Sequence, residues 1–252
     1  MNHDSAAVWV ERAAPPWAAR LRRLNNWLLY DLGGGPRPLK FAWLIDAHKA
    51  ITLPVLALLV WYYAGKTPAA TSTASFVYVA MHGAYGLVWL LKAVSFPDPN
   101  WQVRITWPST LVVLVSLSLY WSIGWLLISG TAIPRYPLHE ALWLASCIVV
   151  FTAGIAIMLA ADAQKYFTLR AKRGLITDGM FRYVRHPNYL GEMLIYTALA
   201  LAVWHWYPAV LLACIWSGFF AINMIMKEAS MSRYGDWQAY KERTWWLLPG
   251  LL

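Results

Sequence analysis

The chain has 252 residues, of which 60% are hydrophobic, 15% are aromatic and only 13% are charged. Because an ordinary soluble domain carries about a quarter charged residues, these proportions exclude a disordered chain, a coiled coil and a small disulfide-bonded scaffold. They also argue strongly against a soluble enzyme. The excess of 21 Lys and Arg over 12 Asp and Glu favours an anionic membrane face or an anionic ligand.

Residues 1–40 form a polar, Arg-rich segment with interspersed tryptophans, which predicts a segment lying on the cytoplasmic membrane surface. Apolar stretches of about the 20 residues that cross a hydrocarbon core then follow, at residues 43–64, 73–91, 108–129, 138–161, 188–205 and 207–226. We therefore predict an all-α fold, a polytopic integral-membrane bundle of about six to seven transmembrane helices with cytoplasmic cofactor-binding loops. Residues 41–137 would form the substrate side, and residues 138–252 the cofactor-binding domain.

The distribution of basic residues along this layout predicts its orientation. If the N-terminus is cytoplasmic, all but two of the 21 basic residues, Lys66 and Arg135, lie on the cytoplasmic side. The positive-inside rule then places both termini in the cytoplasm, and nucleic acid becomes a remote partner. The short loops and the lack of a targeting peptide suit a bacterial inner membrane. Cys147 and Cys214 lie in apolar runs with no metal-ligand spacing, so we expect neither a disulfide nor a metal site.

The polar residues of the second half collect on the cytoplasmic side and predict a receptor for a large anionic cofactor. Arg and Lys pair with phosphates, and aromatic faces stack on a base. Pro187 is suited to the first turn of a helix, on which Asn188 and Glu192 share one face. A carboxylate one turn inside the membrane is costly and therefore indicates a functional site. For the scattered residues Arg170, Lys172 and Arg173, a simple membrane anchor is an equal alternative.

Three motifs carry a resemblance to a known superfamily. They are Leu175-x-x-x-Gly179, Arg185-His186-Pro187-Asn188-Tyr189-x-Gly191-Glu192 and Tyr234-Gly235-x-Trp237-x-x-Tyr240. Over roughly residues 140–252 the chain resembles the C-terminal domain of the membrane steroid 5α-reductases and sterol reductases. The isoprenylcysteine methyltransferases carry a similar element, so it does not choose between NADPH and S-adenosylmethionine. Asp162-x-Gln164-Lys165 and Glu192 favour a reductase, whereas Glu228 resembles an acidic residue of the methyltransferases.

The resemblance implies a cofactor-binding set in three groups. The phosphates of NADPH would be bound by Lys165, Arg170, Lys172 and Arg173; the nicotinamide would be oriented by Arg185, Asn188, Tyr189 and Glu192; the adenosine half would be covered by Arg233, Tyr234 and Tyr240. Asp162, His186 and Glu228 complete the set.

The substrate would be a lipophilic molecule that enters from the bilayer. Asp46, His82 and Tyr85 could meet its carbonyl, and together with Glu192 they are the predicted catalytic residues. We predict hydride transfer from NADPH to an enone, with Tyr85 or protonated Asp46 stabilising the enolate. A purely structural role is the competing interpretation: His82 and Tyr85 would bond neighbouring helices, and Asp46 would pair with Lys49. The alternatives to a reductase are a methyltransferase and, least favoured, a lipid carrier or scaffold.

Overall fold

A computed structural model of the protein describes residues 9–10 and 13–250. Within these residues the chain forms eight helices, which confirms the predicted all-α membrane bundle. The helices are α1 Pro16–Asn26, α2 Phe41–Tyr63, α3 Thr73–Ser95, α4 Trp107–Ile128, α5 Glu140–Ala171, α6 Pro187–Val203, α7 Trp206–Met231 and α8 Trp237–Glu242. Two short antiparallel strands, β1 Leu39–Lys40 and β2 Arg104–Ile105, pair beside the starts of α2 and α4. Residues 1–8 and 11–12 of the predicted 1–40 segment lie outside the described part.

Five helices are long and apolar enough to cross a membrane, namely α2, α3, α4, α5 and α7. They correspond to five of the six predicted stretches. The remaining stretch, predicted at 188–205, forms α6, which has 17 residues. A helix of that length rises about 25 Å, short of the roughly 30 Å hydrocarbon core. The predicted sixth span is therefore a helix of the bundle, but it is not among the five spanning candidates.

Helix α5 is longer than predicted and reaches from the membrane into the polar region. It has 32 residues and ends at Ala171, ten residues beyond the predicted end at 161. At 1.5 Å per residue it is about 48 Å long, so more than a third of it exceeds the hydrocarbon thickness. Asp162, Lys165 and Arg170 therefore lie on a helix, where the sequence predicted the end of a span and a loop.

One end of the bundle collects the starts of α2, α4 and α6 and the ends of α3, α5 and α7; we call it the polar end. There Lys165 reaches Asp98 at 3.4 Å, linking the end of α5 to the segment after α3. At the opposite end, the Tyr136 hydroxyl donates to the Ala202 carbonyl at 2.6 Å. Helix α1 packs on the second half of α7, where Asn25 donates to the Gly218 carbonyl, and the Trp9 indole donates to the Ser232 hydroxyl just beyond the end of α7. The Arg185 amide, just before α6, donates to the Trp245 carbonyl, so both described ends of the chain lie at the polar end.

Helix α6 is held in place by a close backbone contact with α5. A Cβ atom on Gly191 would lie 2.5 Å from the Met158 amide nitrogen, and one on Gly154 would lie 2.8 Å from the Gly191 carbonyl oxygen. Because no side chain larger than hydrogen fits at either position, the two backbones touch, as is common for small residues in membrane bundles. This contact sets the rotation of α6 and thereby the positions of Asn188 and Glu192. The predicted boundary between residues 137 and 138 lies in the α4–α5 connection and stays a prediction.

Candidate functional site

A cavity of about 810 Å³ lies at the polar end, between α3, α5, α7 and the start of α6. Its volume falls within the range of cofactor and ligand sites. Two acidic side chains, Asp98 and Asp162, line it. Seven basic ones also do so: Lys92, Lys165, Arg170, Arg173, Arg185, Lys227 and Arg233. The wall is therefore strongly cationic, which suits an anionic ligand.

Both acidic residues of the wall are neutralised by lysines. Asp162 forms a buried ion pair with Lys92, joining α5 to α3. Asp98 pairs with Lys165 and also accepts the Asn100 amide at 2.9 Å. Burial alone would raise the pKa of Asp98, but Lys165 and the Asn100 amide outweigh it and lower that pKa below its usual value. Asp98 is therefore ionised at neutral pH.

Four cavity cations have no carboxylate within 4 Å among the described residues, namely Arg170, Arg173, Lys227 and Arg233. Arg170 donates to the hydroxyl of Tyr166, which also lines the cavity. The guanidinium carbon of Arg233 lies 4.7 Å from the ring centroid of Tyr234. Cations held beside aromatic rings are suited to a ligand that combines phosphates with flat rings.

Arg185 holds the C-terminal segment against the start of α6. Its Nε donates to Glu228 Oε1 at 2.5 Å, and its guanidinium also donates to the carbonyl oxygens of Lys241 and Thr244. The Arg185 amide in turn donates to the Trp245 carbonyl at 2.9 Å. Although Arg185 lies at the cavity wall, most of its donors are used within the protein. It therefore braces the cavity wall.

His186 follows Arg185 and is almost completely buried at the same wall. Burial lowers the pKa of its imidazole to about 4, although the nearby Glu228 carboxylate, 3.6 Å from Nε2, opposes this. The ring is therefore neutral at pH 7, so one of its nitrogens can donate a hydrogen bond and the other can accept one.

Gln164 joins the Asp162-x-Gln164-Lys165 motif on α5 to the Leu175-x-x-x-Gly179 motif. The second motif lies in residues 172–186, the segment between α5 and α6 that we call the cavity loop. Its Oε1 accepts the Met180 amide at 2.8 Å, and its Nε2 donates to the Asp178 carbonyl at 3.0 Å. Gly179 has φ of +53° beside Gln164, and a Cβ atom there would lie 2.5 Å from Gln164 Oε1. Left-handed backbone and lack of space both require glycine. The Gln164 side chain thus closes the loop over the end of α5.

Glu192 lies on the membrane side of the cavity wall. It follows Gly191 on α6, and its electrostatic neighbours are Lys92, Asp162, Lys49 and Lys227. Three of these four residues line the cavity. Glu192 therefore connects the cationic cavity to charged groups deeper in the bundle.

Residues 37–244 match the family described as "Protein of unknown function (DUF1295)". The chain belongs to this family. The matched range covers α2 to α8 and every residue that lines the cavity. A search of curated proteins found no match to the chain.

The structure brings nine of the predicted cofactor residues to the cavity. They are Asp162, Lys165, Arg170, Arg173, Arg185, His186, Asn188, Arg233 and Tyr234. The other five do not line it: Lys172, Tyr189, Glu192, Glu228 and Tyr240.

Each of these five has an identifiable position. Lys172 is exposed at the end of α5. Tyr189 packs edge-on against Phe220, with the Lys227 ammonium 4.5 Å from its ring centroid. The Tyr240 hydroxyl donates to the Phe181 carbonyl at 2.8 Å, so it fastens α8 to the cavity loop. Glu228 accepts from Arg185, as described above, and Glu192 lies behind the wall.

The predicted catalytic residues of the N-terminal helices lie apart from the large cavity. Asp46 accepts from the Trp89 indole at 3.1 Å and lines a small pocket of about 30 Å³ beside the cavity. His82 Nδ1 is 3.1 Å from the Tyr78 hydroxyl. Tyr85 is completely buried beneath the ammonium of Lys49. The alternative pairing of Asp46 with Lys49 is not formed, because Lys49 donates to Tyr196 at 2.9 Å.

Lys92, Asp98 and Lys227 are cavity residues that the sequence interpretation did not assign to the site. In the sequence, Lys92 counts only toward the positive-inside orientation, and Lys227 is one of the polar residues on the cytoplasmic side without a role of its own. Both lie within apolar helices near the membrane boundary, so the same rule that singled out Glu192 could have found them. Asp98 begins the Asp98-Pro99-Asn100 turn, a pattern that indicates capping and carries no signal of a charged site.

Proposed function

We propose that this protein is an integral-membrane, NADPH-dependent reductase that saturates a C=C bond conjugated to a ketone in a steroid-like or other lipophilic substrate. The observation that carries the proposal is the cationic cavity whose wall adjoins the intramembrane carboxylate Glu192. The family is associated with steroid 5α-reductase-like proteins, and the motif residues resemble those enzymes. Both support the same reaction class.

The charge of the cavity supports NADPH over S-adenosylmethionine. A phosphate monoester carries roughly −1.5 to −2 at neutral pH, and NADPH adds a diphosphate to it. S-adenosylmethionine instead carries a sulfonium cation, which a wall with seven basic and two acidic side chains would repel. Arg170, Arg173 and Arg233 would hold the phosphates, and Tyr234 offers a face for the adenine. Bound NADPH would supply the hydride.

The inner end of the cavity would hold the reacting part of the cofactor. Asn188 lines the cavity one helical turn before Glu192 on α6, and both side chains offer groups that hydrogen-bond an amide. By the resemblance, Glu192 would hold the nicotinamide carboxamide. The α5–α6 contact at Gly191 fixes this position, so orientation requires no movement of the helix.

A methyltransferase of the isoprenylcysteine type is the second candidate. The residue that favoured it is Glu228, and its carboxylate is bound by Arg185 and does not line the cavity. We therefore rank this function below the reductase.

We propose that the protein lies in a bacterial inner membrane with its polar end facing the cytoplasm. The substrate would enter from the bilayer. Lys66 follows the end of α2 and Arg135 precedes α5, so both lie at the opposite end of the bundle. This agrees with the positive-inside rule and gives the cavity access to cytoplasmic NADPH.

Thermal unfolding of the purified protein in detergent tests the proposal. At 100 times its dissociation constant, NADPH should stabilise the fold by about 2.7 kcal/mol, which corresponds to a rise in Tm of roughly 5–10 °C. S-adenosylmethionine should have no effect. In Arg173→Gln the NADPH-induced rise in Tm should be smaller and should depend less on the salt concentration. Arg182→Gln, a nearby basic residue that does not line the cavity, should behave as wild type.

The opposite outcomes are equally clear. Stabilisation by S-adenosylmethionine alone would overturn the reductase in favour of the methyltransferase. Stabilisation by neither ligand would favour a non-enzymatic membrane protein. If Arg182→Gln reduces the NADPH-induced rise in Tm as much as Arg173→Gln does, general surface charge, and not the cavity, attracts NADPH.

A further inference from the structure

Helix α1 packs on the bundle with its small and polar side chains. Arg22 donates to the side chain of Asn223 on α7, and Asn25, three residues further on, donates to the Gly218 carbonyl at 3.0 Å. Ala18, one turn before Arg22, is completely buried. Because residues spaced by three and four share one side of a helix, this is the side of α1 that faces α7.

The opposite side of α1 is apolar and exposed. Trp17, Leu21 and Leu24 follow one another at intervals of four and three residues, and their side chains are 42–54% exposed. Arg20 is also exposed and lies on the same side, three residues after Trp17 and four before Leu24. We call these four residues the outer face of α1. A helix on a soluble protein has the reverse arrangement, with its apolar side packed inward.

Contacts before and after α1 place it at the polar end, along the membrane boundary. Before it, the Trp9 indole donates to the Ser232 hydroxyl, just beyond the end of α7. After it, the Tyr30 carbonyl accepts the amide of Thr106, the residue before α4 begins. The contact at Gly218 lies about 20 Å before the end of α7. Helix α1 therefore runs beside the half of α7 that approaches the polar end.

The surface of α7 next to α1 is one that lipid covers. Cys214 is exposed on α7, one turn before Gly218 and on the same side of the helix. Because α7 is long and apolar enough to cross the membrane, lipid lies against Cys214 and reaches α1 where Asn25 meets Gly218. An apolar helix face at this level, with an arginine among its apolar residues, is suited to the boundary between headgroups and acyl chains.

We propose that the outer face of α1 is a docking surface for anionic phospholipids of the leaflet at the polar end. Trp17, Leu21 and Leu24 would lie among the upper parts of the acyl chains. Arg20 would pair with the headgroup phosphates, to which a guanidinium donates two parallel hydrogen bonds. The apolar side chains would contact any phospholipid, whereas the arginine favours a leaflet with net negative charge. This docking is independent of the proposed reductase function.

Docking of α1 also bears on the wall of the large cavity. Asn223, which accepts from Arg22, lies one helical turn before Lys227 on α7, and Lys227 lines the cavity. A leaflet that holds α1 in place therefore also holds the part of α7 that carries this cavity cation.

Quenching of a fluorophore by labelled lipid tests the docking, with the full-length protein at one copy per lipid nanodisc. The fluorophore is attached to Leu21→Cys in a Cys214→Ala background, in which the remaining Cys147 is buried. The quencher is phosphatidylglycerol or phosphatidylcholine that carries a nitroxide on its acyl chain. Both lipids should quench the fluorophore, and phosphatidylglycerol should quench it more at equal mole fraction.

The matched position for the label is Gly235→Cys, in the exposed turn between α7 and α8, where a Cβ would have no atom within 4 Å. A fluorophore there should be quenched by neither lipid, because the turn lies outside the acyl chains.

A charge variant tests the role of the arginine. Arg20→Gln should reduce the preference of the Leu21 position for phosphatidylglycerol about fivefold, which is the value of one basic residue near an anionic surface. Quenching by phosphatidylcholine should persist, because the apolar side chains are unchanged. Arg135→Gln removes an exposed cation at the opposite end and should leave the preference as in wild type.

Three results would overturn the inference. A Leu21 label that neither lipid quenches in single-copy discs shows that this face lies outside the membrane. Equal quenching by the two lipids, or an equal effect of Arg20→Gln and Arg135→Gln, shows that Arg20 recognises no anionic lipid. Loss of quenching in discs that hold two copies shows that a second copy covers the outer face. None of these measurements involves NADPH, so the reductase proposal stands or falls separately.

Discussion

Replacement of Gly191 by alanine tests the contact that positions the candidate site. The added Cβ would lie 2.5 Å from the Met158 amide nitrogen, 2.7 Å from the Gly154 carbonyl oxygen and 2.7 Å from the Met158 Cβ. Two of these atoms belong to the α5 backbone and cannot rotate away, so α5 and α6 must separate. Overpacking of this kind costs about 1–3 kcal/mol, and the upper part of that range applies here.

Alanine also gains about 1 kcal/mol over glycine in a helix interior, so we expect a net loss near 2 kcal/mol. For a chain of this size that lowers Tm by roughly 4–8 °C. Gly218→Ala is the matched control, because a Cβ there would have no atom within 4 Å. It should leave Tm unchanged or raise it.

Thermal unfolding in detergent, with and without NADPH, measures both effects. Gly191→Ala should also weaken the NADPH-induced shift, since Asn188 and Glu192 move with α6. An unchanged Tm for Gly191→Ala would refute the close α5–α6 contact and, with it, the placement of Glu192 beside the cavity.

Three further predictions concern charged groups of the site. Asp162→Asn leaves the buried Lys92 ammonium without its carboxylate and should lower the free energy of unfolding by about 3–5 kcal/mol. The double variant Lys92→Met with Asp162→Leu should recover most of that loss. Equal losses in the single and the double variant would contradict this. Because the pKa of Asp98 is lowered in the folded protein, mainly by Lys165 against the effect of burial, its stabilisation is present above the unfolded-state value near 3.9 and is lost as the pH falls through the folded value. Asp98→Asn should therefore be less stable than wild type at pH 7 and equal to it in strong acid, as followed by unfolding at a series of pH values. Glu192→Gln should abolish NADPH oxidation while Tm stays within a few degrees of wild type, and retained turnover would remove Glu192 from the site.

The sequence predicted the helices and the polar end because the bilayer acts on local composition. A run of about 20 apolar residues is sufficient to indicate a spanning helix, and five of the six predicted stretches became such helices. The stretch at 188–205 was predicted to span the membrane and is not a spanning candidate, and α5 was predicted to end at 161 and continues to Ala171. Both differences have one cause. Apolar composition shows which residues can lie in lipid, but it does not show where a helix ends. Helix α6 ends before Trp204, which has a left-handed conformation with φ of +46°, whereas α5 continues as a polar helix at the polar end.

Local motifs also predicted many of the residues that line the cavity, but not which of their groups remain free. Arg185 and Tyr240 belong to the motifs, yet their donors are taken up by Glu228 and by the Phe181 carbonyl. These partners lie 43 and 59 residues away. No spacing rule connects such distant positions, so a motif residue that braces the cavity looks the same in sequence as one that binds a ligand.

The sequence by itself determined that this protein is a membrane bundle with its charge gathered at one end. Only the tertiary structure decided what that charge does, because a polar atom in hydrocarbon needs a partner, and the partner depends on how the helices are rotated and how closely they approach. Lys49 and Tyr196 are 147 residues apart and meet at 2.9 Å, since Gly86 and Gly191 let α2, α5 and α6 close around α3. Hydropathy predicts which residues lie in the membrane, whereas the packing of the helices determines which buried polar groups pair with one another.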